Sequence, residues 1–305
     1  MKKLAAFIST IIVVVLIAST YIYINQKPVE LKKYSQPNTN VEIKEEALSP
    51  VNDEKFSYSL QKNELNITYN KGLNWTKVDI ETDLLFQGEY QGNKKELIKD
   101  SYIINEDLVA FLYTEYTNDN LQRILLKYSY DKGSTWEESV VVDDFPVIRY
   151  RKVDFLTGNF GYVIISGGRT MSQEYSAIYL TRDGGETWEK TSELPSTRLI
   201  AFGAFIDEKT GFLSYGTISP EEPDFYVTND SGSSWNQSNF EIPEIYEEVF
   251  VQAEVPIKVK EGLEVLVNQG PNGDYKGNKV KGKFISEDNG FNWIFDGEVN
   301  IDETK

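Results

Sequence analysis

Four aspartates stand at one fixed offset from a tryptophan: Asp131, Asp183, Asp230 and Asp288 lie five residues ahead of Trp136, Trp188, Trp235 and Trp293. Asn70 takes the same place before Trp75. Carboxylates at a repeated spacing suggest two chemistries. One is the acid–base work of glycoside hydrolysis. The other is oxygen ligation of a hard cation such as calcium. A second group is basic. Five of the six Arg fall within fifty residues of one another, and four of them, Arg149, Arg151, Arg169 and Arg198, are the candidates. Each guanidinium offers a planar fork suited to carboxylate or phosphate. What is missing narrows the choice further. The 305 residues contain no His and no Cys, which removes the Ser-His-Asp triad, the thiolate nucleophile, the disulfide and the usual zinc ligands. Any catalysis would run on carboxylates, Tyr, Lys or Arg. These residues indicate neither a cofactor nor a metal site. The net charge of −17 excludes nucleic acid as a partner, because phosphate binding needs a basic face.

The repetition itself decides how the aspartates should be read. All five Trp of the chain end the same eight-residue string, over Thr68–Trp75, Ser129–Trp136, Thr181–Trp188, Thr228–Trp235 and Ser286–Trp293. The shared pattern is Ser/Thr-x-Asp-x-Gly-x-(Thr/Ser/Asn)-Trp. Its glycine suits a turn position with φ > 0, its Asp can accept backbone N–H groups, and its Trp supplies a large apolar anchor. Acids repeated in this way read as structural staples rather than as catalysts or calcium ligands.

The string resembles the Asp box, or BNR repeat, of sialidase-like, sortilin-like and photosystem assembly-factor-like propellers. The first copy departs from it by carrying Asn70, and the first and last copies carry Asn before Trp. The resemblance implies an all-β propeller of five four-stranded blades. The Trp spacings of 61, 52, 47 and 58 residues suit one such blade with its loops. In the third unit the expected strands are Arg151–Leu156, Gly161–Ser166, Ser176–Thr181 and Trp188–Thr191. In the fourth they are Leu199–Ile206, Gly211–Tyr215, Phe225–Thr228 and Trp235–Phe240. The first unit shows only Phe56–Gln61, Leu65–Tyr69 and Trp75–Ile80. Val41–Ile43 or a C-terminal strand near Val299–Ile301 would complete it, and a degenerate sixth blade could sit within Ile80–Ser101.

If each box joins the third and fourth strands, all five share one face, and ligands are expected on the opposite one. That face receives Arg149, Tyr150, Arg151, Arg169, Tyr175 and Arg198. They form either a patch for an anion or peptide terminus, or ordinary salt-bridge partners. The sialidase resemblance implies an Arg trio, which Arg149, Arg169 and Arg198 could imitate. It also implies an early Arg-Ile-Pro-like segment, and no Arg occurs before Arg123. Glu221, Glu222, Asp224 and Asp274 are the loop acids that a hydrolase could use.

The N-terminus supplies the remaining element. Lys2 and Lys3 precede an apolar, uncharged run from Leu4 to Ile24, long enough to span a bilayer as a helix. It reads as an anchor with the rest of the chain outside, or as an export signal that would release a secreted protein. The expected organisation is an anchor or signal over 1–24, a linker over 25–53 and an Asp-box propeller over 54–305. The expected protein is a membrane-anchored, extracytoplasmic scaffold that binds a protein or cell-envelope ligand. It touches the membrane through the N-terminal helix alone and is not an enzyme. The alternative is a glycoside hydrolase of the sialidase-like type.

Overall fold

Short runs rich in Tyr, Phe, Val and Ile, separated by Gly- and Asp-bearing turns, form strands because flat and β-branched side chains pack well on a pleated surface. The computed structural model describes residues 14–21, 47–117, 121–216, 218 and 220–301, and the chain divides into Met1–Glu46 and Ala47–Lys305. In the first unit residues 14–21 are helical. No helix among the described residues is long and apolar enough to cross a membrane. Most of the apolar run from Leu4 to Ile24, and all of Val41–Ile43, lie outside the described residues.

The second unit holds five sheets. Sheet 1 contains β1 (Ser57–Ser59), β2 (Leu65–Thr68) and β3 (Thr76–Val78) in sequence order. Sheet 2 contains β4 (Tyr102–Ile104), β5 (Val109–Tyr116), β6 (Leu121–Ser129) and β7 (Glu137–Pro146). Sheet 3 contains β8 (Ile148–Phe155), β9 (Gly161–Thr170), β10 (Gln173–Thr181) and β11 (Glu189–Lys190). Sheet 4 contains β12 (Ile200–Phe205), β13 (Gly211–Tyr215), β14 (Asp224–Thr228) and β15 (Asn236–Gln237). Neighbouring strands in these four sheets are antiparallel. Sheet 5 is larger. It joins β16 (Asn239–Glu241), β17 (Gln252–Ala253), β18 (Ile257–Val259), β19 (Gly262–Asn268), β20 (Val280–Ser286) and β21 (Asn292–Asn300).

Four apolar clusters lie between consecutive sheets. Leu65 and Ile67 of sheet 1 pack with Phe111 and Tyr113 of sheet 2. Ile124 and Leu126 of sheet 2 pack with Val163 and Ile165 of sheet 3. Tyr162, Ile164 and Ile178 meet Phe205 and Leu213 of sheet 4. Phe225 and Val227 of sheet 4 meet Phe284 and Trp293 of sheet 5. Sheet 3 is therefore covered on both faces, and β9 buries every residue from Gly161 to Gly167. That is the burial expected for a near-continuous apolar strand. In β19 and β20 buried residues alternate with half-buried ones.

Three expectations need correction. Val299 and Asn300 pair with Lys281 and Val280, so the C-terminal strand belongs to sheet 5 and does not complete the first unit. The single strand expected over Trp235–Phe240 is split between two sheets. Ser238 turns the chain out of sheet 4 by donating its hydroxyl to the Gly290 carbonyl at 2.6 Å. Strand β16 then runs parallel to β21, with the Phe240 ring stacked on Trp293 at 5.9 Å.

The third correction concerns Ile80–Ser101, which contains no strand. It carries a 3-10 turn over Thr82–Phe86 and then follows the free edge of β8. The Glu89 N–H donates to the Ile148 carbonyl at 2.8 Å, and the Val153 N–H donates to the Asp100 carbonyl at 2.9 Å. Edge groups of sheet 3 that would otherwise lack partners are thereby satisfied. The approach is close enough to demand glycine at position 88. Gly88 has φ +104°, and a Cβ there would lie 2.2 Å from the Ile148 carbonyl oxygen.

Candidate ligand-binding face

The Trp-ended turns close by one hydrogen-bond scheme. In all five the first hydroxyl accepts the N–H of the glycine, at 2.9 Å for Gly72, 2.8 Å for Gly133, Gly185 and Gly232, and 2.9 Å for Gly290. The acid or amide in third place accepts the backbone N–H four residues on, as Asp183 does from Thr187 at 3.0 Å. In the four copies that have an Asp, its second oxygen also receives the side chain of that same residue, at 2.5–2.7 Å. These bonds favour the ionised form. The Thr187 hydroxyl and amide hold the Asp183 carboxyl at about 2, and Thr135 lowers Asp131 in the same way. The carboxylates of these turns are thus fully engaged in closing them.

The turns sit beside the hairpins that join the first and second strands. The Gly184 N–H donates to the Asn159 carbonyl at 2.9 Å, and the Ser231 N–H donates to the Lys209 carbonyl at 3.0 Å. The opposite ends of the strands carry the second-to-third hairpins and the connections between sheets, and the candidate residues lie there.

Arg149 is locked between sheets 3 and 4. Its Nε and Nη2 donate to the two carboxylate oxygens of Glu174 at 2.5 and 2.6 Å, and Nη2 also reaches the Ile200 carbonyl at 3.1 Å. Glu174, fully buried, takes the Ile200 N–H as well, at 2.9 Å. Arg151 is also buried and holds the Ile80–Ser101 segment in place, donating to the carbonyls of Leu85 and Gln87. Burial lowers its guanidinium to about 10. Arg198 donates to Asp224 at 3.0 Å. Arg169 lies exposed at the β9–β10 hairpin and reaches the Met171 carbonyl at 3.1 Å. Tyr150 is packed against the cluster between sheets 3 and 4, and burial raises its hydroxyl well above the usual range. Tyr175 faces the other way, 5.5 Å from the Phe145 ring of sheet 2, with the Lys190 ammonium 5.4 Å above it. The structure therefore brings Arg149 and Tyr150 together, joins Arg198 to sheet 4, and leaves Arg169 and Tyr175 apart from them.

A different set of side chains converges on the same face. A recess of about 160 Å³ between the loops of sheets 4 and 5 is lined by Pro220, Glu248, Gln269, Asn272, Asp274 and Tyr275, among others. Gln269, 4% exposed, has its amide orientation set by Nε2, which donates to the carbonyls of Tyr275 at 3.0 Å and Val280 at 2.9 Å. Its Oε1 accepts nothing from the described residues. The Glu248 and Asp274 carboxylates are exposed and make no ion pair or hydrogen bond with described residues. Tyr275 donates its hydroxyl to Glu298 at 2.8 Å, which fixes its ring beside the recess. Of these, only Asp274 is signalled by sequence. The Gly- and Pro-bearing stretch after Gln269 marks a loop, but nothing in it marks Gln269 or pairs it with Glu248.

Solved structures similar to this chain include a mutant Trypanosoma rangeli sialidase displaying trans-sialidase activity, at 12% identity and TM-score 0.40, covering 84% of this chain and 48% of that one. Another is the Hadza microbial sialidase Hz136, at 13% identity and TM-score 0.42, covering 78% and 52%. A third is the GH43_1 enzyme from Xanthomonas citri, at 8% identity and TM-score 0.36, covering 65% and 72%. The chain thus spans about half the length of the two sialidases. No curated protein matches it. These neighbours bear the names of glycoside hydrolases, against the expectation that the chain is not an enzyme. At such identities and TM-scores no residue role or substrate passes from them to this chain. The sequence match is the firmer finding: over residues 3–300 the chain belongs to the DUF6242 beta propeller domain family.

Proposed function

We propose that this β-propeller recognises a saccharide of the cell envelope in the recess lined by Gln269, Glu248 and Asp274, and that glycosidic-bond hydrolysis is the reaction open to it. The recess is the observation that supports this reading. Two carboxylates without partners among the described residues and a buried amide oxygen are acceptors for sugar hydroxyls, and an aromatic ring lies beside them. Composition points the same way. A chain without His or Cys is left with carboxylates, Tyr, Lys and Arg, and glycoside hydrolysis needs no more than a pair of carboxylates. In this reading each sheet is a blade, the Trp-ended turns are Asp boxes, and the run from Leu4 to Ile24 holds the propeller outside the membrane.

A glycan array and a panel of fluorogenic glycosides and sialosides, applied to the full chain, test the proposal. Retention on one glycan class, weakened at least tenfold by Asp274→Asn and by Glu248→Gln, is the expected result. An unaltered signal in both variants, or neither retention nor turnover by the parent chain, rejects it.

A second reading places an anion or peptide terminus at the Arg patch. The exposure of Arg169 and Arg198 favours it, with the half-buried Arg149 on the same face, Tyr150 and the buried Arg151 packed behind, and Tyr175 at the neighbouring hairpin. Partner capture that is unchanged in an Arg169→Ala, Arg198→Ala double variant removes this reading.

A further inference from the structure

The sheets repeat one junction four times. At each, the glycine of a Trp-ended turn rests on the preceding sheet. At three of the junctions it lies close to the residue immediately before that sheet's own turn. The Cβ position of Gly133 lies 3.3 Å from Ile67, that of Gly185 lies 3.5 Å from Tyr128, and that of Gly290 lies 3.4 Å from Val227. Gly232 instead meets Thr191, the residue after β11 of sheet 3, at 2.6 Å. The four residues standing before the turns of sheets 1 to 4, Ile67, Tyr128, Leu180 and Val227, are 0, 2, 6 and 0% exposed. The four glycines that follow on the next sheets are buried as well.

The two ends of the series depart from this pattern in complementary ways. Ile285 stands before the turn of sheet 5, yet it is only half-buried, and Ile294 beside it is 58% exposed. Both line a groove of about 630 Å³. Ile294 directly follows Trp293, as Thr76, which also touches the Gly133 position, follows Trp75. The groove floor is therefore built from the same repeat positions that hold a turn at the first junction. At the other end Gly72 is the one turn glycine, among the described residues, that is not buried. It meets Pro50 of the leading segment rather than a sheet. The neighbouring Leu73 is 81% exposed.

Charge selects the occupant. The groove carries Glu261, Glu287, Asp288 and Asp296. Asp296 pairs with Lys283 at 2.6 Å and Asp288 closes its own turn. Glu261 and Glu287, beside Lys260, are the acids there without a partner among the described residues. The first turn is the only one of the five without an acid, since Asn70 replaces the Asp and Lys71 follows it. We propose that the groove on sheet 5 seats the first turn, residues 69–75, of a second copy of this chain. Leu73 lies on Ile285 and Ile294, and Lys71 lies among the acids. The contact is head-to-tail and joins one surface to a different one. It is independent of the saccharide recess, which lies on another part of the chain.

The absence of Cys makes single cysteines unique reporters. Full chains carrying Leu73→Cys and Ile294→Cys, both at exposed positions, are mixed and treated with a short bis-maleimide linker. The expected product is a mixed dimer, in yield at least tenfold above that from either variant alone. Adding Lys71→Glu to the first chain, or 1 M salt, should lower that yield several-fold, because exposed charge pairs are screened. If the mixture gives no dimer while one chain carrying both cysteines links within itself, the groove holds the chain's own first turn and the proposal fails. It also fails if neither preparation links.

Discussion

Asp183 and Asp274 are both exposed aspartates on turns of one propeller, and they differ in what their oxygens do. Asp183 receives the Thr181 hydroxyl, the Thr187 N–H and the Thr187 hydroxyl within 3.0 Å. Asp274 receives nothing from the described residues. The Trp-ended turns use their carboxylates to close, whereas the recess on the loop face holds two without a partner among the described residues. Residue type and exposure do not separate the two groups. Engagement does, and Glu174 shows its limiting form: a fully buried carboxylate forked to Arg149 on the loop side. The lesson is that repeated acids are best read as architecture until a carboxylate without a partner is found.

Removing an engaged acid should cost stability in proportion to its burial. Glu174→Ala leaves the Arg149 fork and the Ile200 N–H without their acceptor. A loss of ~3–5 kcal/mol is expected, read from denaturant unfolding. Gly88→Ala ranks next. It places a methyl against the Ile148 carbonyl at positive φ and should cost ~1–3 kcal/mol while loosening the segment clamped by Arg151. Asp183→Ala removes local bonds of the kind a helix-capping residue makes, at about 1 kcal/mol. Its effect should depend on pH in a defined sense. The folded carboxyl is held at about 2, below its ordinary 3.8, so its contribution is complete above the ordinary value and lost as pH falls through about 2. Parent and variant melting curves should therefore converge on acidification and differ most near neutrality. Asp274→Asn should stay within ~0.5 kcal/mol of the parent chain, as expected for a surface carboxylate without partners.

Much of the turn face was legible in sequence, because each turn is a local structure: eight residues contain the donor, the acceptor, the glycine and the anchor. Strands that flank those turns were legible for the same reason, and β13 falls on the expected Gly211–Tyr215. What could not be read depends on residues far apart. Arg151 meets carbonyls 64 and 66 residues earlier, so an apparent ligand-binding cation is a clamp on the Ile80–Ser101 segment. That segment lacks periodicity because its bonds go to the edge of β8 rather than into a ladder of its own. Strand β16 looked like the continuation of sheet 4 until Ser238 bonded to Gly290 across the junction. The recess was invisible because Gln269 acquires its meaning only from the two carbonyls that fix its amide and from Glu248, brought in by the connection from β16 to β17.

The most direct measurement is a paired one on the full chain: thermal stability and glycan retention for Asp183→Ala and for Asp274→Asn, side by side. The account predicts that Asp183→Ala melts at a lower temperature and keeps its retention, while Asp274→Asn melts with the parent chain and loses retention at least tenfold. Retention that survives in Asp274→Asn, or that falls equally in both variants, would contradict it.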